Sequence, residues 1–168
     1  MAERTVLQRR CDSLAASLCP PVPWSLDGFV NHVRDLRDRR ILLYAQPLPA
    51  GVSSFWFRAG PADHIVYARD AQSPHHRDHL VMHEIAHMLL GHAGIPLGLL
   101  NSPEAVRSLH RGTVENEAEV LARAIAARWR PPRPQPHVDA DVGRVMRTYD
   151  YSWEVPPYAW RGQTICQR

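Results

Sequence analysis

The segment LVMHEIAHMLLGH, Leu80 to His92, sets three titratable side chains, His83, Glu84 and His87, inside an otherwise apolar run. Ser73 and Pro74 precede it: a serine able to cap a helix, then a proline suited to the first helical position. Gly91 supplies the stop. The pattern predicts a helix over residues 74–90. Successive helical residues turn by about 100°, so His83 and His87 share one face, one turn apart, and Glu84 lies about 100° to the side. Val81, Met82, Ile85, Met88 and Leu89 cover the other side. This is the H-E-x-x-H arrangement, in which two neutral imidazoles bind zinc and the glutamate beside them takes a proton from water. An ion would satisfy the histidines and substrate would meet Glu84, which explains polar groups in so apolar a helix. The short motif alone also fits two structural histidines on a core helix. The capped start, a sheet just before and an acidic helix just after favour the metal.

A catalytic zinc takes a third protein ligand and keeps one position open. His79 cannot join His87 on one ion, because eight helical residues separate them by about 12 Å along the axis. His92 would point about 140° away from His87 if the helix continued; it is expected to be a local structural residue or to support a ligand. His75, His76 and His79 are expected at solvent or at the cleft rim. The third ligand is sought in VENEAEVLARAIAARW, residues 114–129. Val114, Ala118, Leu121, Ala122, Ile125 and Trp129 make one apolar stripe. Glu115 lies closest to it, about 60° from its centre, and is the glutamate most easily aimed at an internal ion. Glu119, one turn on, is expected to hydrogen-bond a ligand histidine, and Glu117 to be exposed. Ala118 and Ala122 would let the two helices approach closely.

Around this core the chain reads as α+β, with a small antiparallel or mixed sheet packed on helices. Residues 3–18 and a second segment capped by Ser25 have helical apolar spacing. ILLY at 41–44 reads as a buried strand. SSFWF at 53–57 and HIVY at 64–67 flank the turn-rich RAGPAD and read as a hairpin. Ser102-Pro103 starts a short helix through residue 109, and Thr113 caps the acidic helix. PPRPQP at 131–136 reads as a stiff linker, followed by a last helix and an aromatic tail that packs on the body. The whole of 1–168 is expected to be one domain: N-terminal helices at 1–40, a core at 41–130, and linker, helix and tail at 131–168.

HEIAHMLLGH followed by ENEAEVLA resembles the ImmA/IrrE family of gluzincin metallopeptidases, whose pattern is H-E-x-x-H, often with a trailing Gly-His, then E-x-x-A-N/D-x-F-A on a later helix. The likeness covers roughly residues 40–130. It implies a zincin-like core and one zinc ion per chain, with His83, His87 and Glu115 as ligands and Glu84 as the base. It also implies a cytoplasmic bacterial peptidase that cuts a helix-turn-helix repressor or an antitoxin. Ala86 stands where glycine is usual, Glu119 replaces Asn or Asp, and Leu121 replaces Phe. These departures bear on the support around the ligands more than on the ligands themselves.

Substrate could add as an extra strand along the exposed edge of the 53–67 hairpin. A donor to the transition state is also required, and His137, Tyr149, Tyr151 and Arg123 are all candidates. A non-catalytic module that binds metal and a regulatory partner is the rival reading. Direct nucleic-acid binding is not expected, since a net charge of +3 is small and RDLRDRR at 34–40 mixes acids with its arginines. The chain has no apolar run near the roughly 20 residues of a membrane span. Three cysteines without a Cys-x-x-Cys fit a reducing compartment and no disulfide framework.

Overall fold

The computed structural model describes residues 5–71, 73–109 and 112–129; the expected linker, last helix and aromatic tail lie outside them. Helix α1, Val6–Ser17, opens with a reciprocal cap: Thr5 Oγ1 accepts from Gln8 N at 3.2 Å, and Gln8 Oε1 accepts from Thr5 N at 2.9 Å. Helix α2, Leu26–Arg37, is capped by Ser25, whose Oγ accepts from Gly28 N at 3.0 Å. It ends at Asp38 in the left-handed region, a conformation that aspartate tolerates better than most residues. Three strands follow: β1, Arg40–Gln46; β2, Ser54–Ala59; and β3, Ala62–Ala68. Helix α3, Pro74–Leu90, leads through a 3-10 turn at Leu97–Leu99 to α4, Pro103–Leu109, and α5, Thr113–Trp129. Thr113 is the first residue of α5, where the sequence suggested its cap.

The fold is α+β. Its sheet has the order β1-β3-β2, with β1 parallel and β2 antiparallel to β3, so it is mixed. The strands run further into RAGPAD than its composition suggests. Ala59 pairs with Ala62, leaving Gly60 and Pro61 as the turn, with Gly60 at φ 54°. Asp63 therefore lies in a central strand, not a loop, and is 0% exposed. Arg37 Nη2 donates to its Oδ2 at 2.9 Å; Arg39 and Arg58 Nε donate to its Oδ1 at 3.0 and 3.3 Å. Arg37 Nη1 also donates to the Met88 carbonyl at 2.9 Å. One carboxylate thus ties the end of α2 to β3 and, through Arg37, to the last turn of α3.

Helix α3 is held between the sheet and α5, and α5 lies between α3 and α1. The interface with α5 includes Ala86, Ala118 and Ala122, all fully buried, which brings the axes close. Met82, Ile85, Leu121 and Ile125 fill the rest of that core, each contributing roughly 1.5–3 kcal/mol by leaving water. A smaller cluster of Val52, Ile95 and Val106, with Phe55 and Phe57, covers part of the other face of the sheet. No helix among the described residues is long and apolar enough to cross a membrane. Cys11 is a buried free thiol, whereas Cys19 is disulfide-bonded, a departure from the expectation of unpaired cysteines.

Candidate metal centre

The Ser73 cap and the Gly91 stop place α3 as its sequence signals require. Ser73 Oγ accepts from His76 N at 3.1 Å, and Gly91 adopts φ 77°. One turn apart on this helix, His83 Nε2 and His87 Nε2 stand 3.2 Å from each other. Glu115, in the first turn of α5, reaches both: its carboxylate oxygens lie 3.1 Å from His83 Nε2 and 3.3 Å from His87 Nε2. These three residues form a group whose ligand atoms lie within 4.8 Å of one another and could hold a metal ion. A tetrahedral ion with bonds of about 2.0–2.1 Å spaces its donor atoms by about 3.3 Å. The observed separations are close to that edge length, and two imidazoles with one carboxylate suit a borderline transition metal better than calcium or magnesium.

The outer ring nitrogens decide whether both Nε2 lone pairs are free for an ion. His83 Nδ1 lies 3.2 Å from Glu119 Oε2, and an ionised carboxylate only accepts, so Nδ1 carries a proton; a metal ion would take the place of the proton that Nε2 offers to Glu115 Oε2 at 3.1 Å. The relay behind His87 is longer. Glu117 Oε2 sits 3.2 Å from His92 Nε2, which must therefore donate. Neutral His92 then accepts at Nδ1, which lies 3.0 Å from His87 Nδ1. His87 donates there and presents its Nε2 lone pair to the same point as His83. Both relays end on carboxylates, from Glu119 and Glu117, and both support the metal-binding tautomer.

The electrostatics favour positive charge at this point. Burial would lower the pKa of His83, yet the hydrogen bonds of Glu115 and Glu119 raise it from 6.5 to about 10. Burial likewise opposes ionisation of Glu115, but its bonds with His83 and His87 hold it well below the usual carboxylate range. Glu119 is lowered too, by hydrogen bonds with His79 and then His83. A pocket that stabilises a proton this strongly also suits a cation.

Glu84 lies outside the three-residue group. It is 1% exposed, and Ser54 Oγ, from β2, donates to its Oε1 at 2.6 Å. The expectation of a glutamate facing an open cleft gives way to one held between helix and sheet. Glu117, expected to be exposed, is half-buried and holds His92. Helical projection misplaced His92 because the helix stops: Gly91 turns left-handed and His92 N donates back to the His87 carbonyl at 2.9 Å, which swings the ring beneath His87. His79, expected at the rim, places Nε2 3.1 Å from Glu119 Oε2. A signal for this pair is present in the sequence. His79 and His83 are four apart, as are Glu115 and Glu119, so antiparallel helices bring them together as successive rungs. Ser54 carries no such signal. Of the four candidate donors, Arg123 binds Glu119 Oε1 at 2.7 Å; His137, Tyr149 and Tyr151 lie outside the described residues. In comparisons of the chain with protein families, curated proteins and solved structures, none matches.

Proposed function

We propose that this protein is a zinc-dependent metallopeptidase with a zincin-like core, one zinc ion per chain, and His83, His87 and Glu115 as its ligands. The observation that carries this reading is the convergence of two Nε2 atoms and one carboxylate, with one outer nitrogen held by Glu119 and the other by His92, which Glu117 holds in turn. When bound, zinc supplies a Lewis acid that makes water acidic near neutrality and polarises a carbonyl. Glu84 accepts the proton from the attacking water and passes it to the leaving amine. Ser54 Oγ donates to Glu84 Oε1 at 2.6 Å and orients the carboxylate. Strand β2 forms one edge of the sheet; Ile95 N already takes the Trp56 carbonyl there, and a substrate segment would lie along the remainder of that edge. The resemblance of the motif and of ENEAEVLA to the ImmA/IrrE family supports a helix-turn-helix repressor or antitoxin as the protein substrate, met in the cytoplasm. With mixed-sequence quenched peptides and any such repressor encoded beside this chain, the reading predicts cleavage that a chelator abolishes and added zinc restores. Cleavage indifferent to the chelator would overturn it.

The two relays give this reading a second test. His92→Ala should remove the acceptor that fixes the His87 tautomer, and Glu119→Ala the one that fixes His83. Each is expected to weaken zinc binding about 10–100-fold, measured by competition with a chromogenic chelator. Unchanged affinity in both would mean that the relays do not prepare the ligands.

The burial of Glu84 favours a second reading, a module that holds metal and binds a regulatory partner without cleaving it. Zinc binding without cleavage of any peptide or repressor would establish that alternative.

A further inference from the structure

Past the end of α3, residues 91–97 fold against β2 and leave a cavity of about 360 Å³ whose walls include Trp56, Arg58, His92 and Leu97. Its shape is determined by tight contacts. Ile95 N donates to the Trp56 carbonyl at 2.8 Å, and a Cβ added to Gly94 would stand 3.0 Å from that carbonyl and from the indole. One side chain in the wall, Arg58, has spare donor capacity that the cavity can reach. Arg58 spends its Nε on Asp63, a carboxylate that Arg37 and Arg39 already hold more closely. Its terminal amino groups meet no hydrogen-bond acceptor among the described residues, its guanidinium lies over the Trp56 ring, and its side chain is 56% exposed. Trp56 is buried beneath it, with the Arg58 guanidinium carbon 6.0 Å from the centre of its ring, so the indole reports on what Arg58 binds.

The cavity adjoins the metal centre in two ways. His92 in its wall is the residue that contacts His87. Ser54, Trp56 and Arg58 occupy alternate positions of β2 and share the face that meets α3, with Ser54 holding Glu84. Two residues of strand advance by about 7 Å. An extended polypeptide with its reacting bond beside Glu84 would therefore bring a side chain about two to four residues away into the cavity.

We propose that this cavity is a specificity subsite for a carboxylate-bearing residue of a polypeptide, gripped by the guanidinium of Arg58, which lies over the Trp56 ring. A planar guanidinium with two free amino groups matches a carboxylate bidentately. The chemistry is shared by an acidic side chain and a chain terminus. The inference rests on the peptidase reading, so its test has one arm that needs no cleavage.

In that arm the zinc-loaded full chain is titrated with Nα-acetylglutamate amide, Nα-acetylglutamine amide and Nα-acetylalanine. The readout is the Trp56 indole N–H resonance, assigned by its loss in Trp56→Phe. A saturable shift with a carboxylate probe, at least about tenfold weaker with the glutamine amide and lost in Arg58→Gln, supports the site. The glutamate and alanine probes then separate a side chain from a terminus. No shift, an equal shift with glutamine amide, or an undiminished shift in Arg58→Gln overturns it. In the second arm, mixed-sequence peptides with a fixed Glu are compared with those carrying a fixed Gln. The glutamate pools should be cut at least about tenfold faster, a ratio that falls to about one in Arg58→Gln. A successful titration with no cleavage of any pool keeps the site and removes the peptidase reading. Cleavage without preference, together with a silent titration, removes the site and keeps the peptidase.

Discussion

Glu84→Gln should keep its zinc and its fold and lose about 10²–10⁴-fold in peptide cleavage, the range that a positioned general base contributes. The substitution isolates proton transfer at this position. Glu84 is buried on the face of α3 that meets β2, and its Oε1 accepts from Ser54 Oγ at 2.6 Å. A glutamine keeps a carbonyl oxygen to accept that bond, so the contact between helix and strand survives. What it cannot do is take a proton. Turnover of a cleaved peptide, zinc content and urea unfolding should be measured on the same preparations. Cleavage at the wild-type rate would show that Glu84 is not the base. Loss of zinc or of stability together with activity would show that its role is structural, as its burial permits.

The second large effect concerns the framework. Asp63→Ala should cost about 1–3 kcal/mol at neutral pH, because it leaves the half-buried guanidiniums of Arg37 and Arg39 without their counter-charge. Arg37 also holds the Met88 carbonyl, so the loss should loosen the last turn of α3 beside His87. The effect carries a pH signature. Burial alone would raise the Asp63 carboxyl, but its bonds to Arg37 and Arg39 outweigh that and hold it below its ordinary value of 3.8. The unfolded chain then binds this proton more readily than the folded one. The stabilisation is fully present above the ordinary value and fades as pH falls through the lower, folded value. Urea unfolding of wild type and Asp63→Ala should therefore differ by the full amount at neutral pH and progressively less below about pH 4. A difference that stays constant into the acid would mean that packing, not charge, is responsible.

Much of α3 was legible because its signals are local. A serine cap, a proline at the first turn and a glycine stop set its ends, and the 100° rotation puts His83 and His87 on one face. Glu115 was within reach for a similar reason, since the apolar stripe of α5 fixes which acid lies nearest the core. Reading failed where the chain leaves a regular element. His92 was expected to be local or to support a ligand, and its contact with His87 agrees, but beyond the last helical residue, Leu90, spacing no longer gives direction, so its bond to Glu117 was missed. RAGPAD has the composition of a loop, yet its outer residues pair across the hairpin, and Asp63 becomes a buried hub for arginines from α2, from the turn before β1 and from β2. The parallel pairing of β1 with β3 joins segments about twenty residues apart and leaves no local mark. Glu84 was expected at a cleft because the motif suggests one. That Ser54 holds it depends on the registry of β2 against α3, a tertiary fact with no counterpart in spacing.

The central claim is that two imidazoles of α3 and one carboxylate of α5 share a single zinc ion. It is tested most directly by elemental analysis of tag-free protein, loaded with zinc and then exchanged into metal-free buffer. One zinc per chain in the wild type, falling to background in Glu115→Ala while the fold persists, is the predicted result. Wild-type protein that retains no stoichiometric zinc, or Glu115→Ala protein that retains as much as wild type, would contradict it.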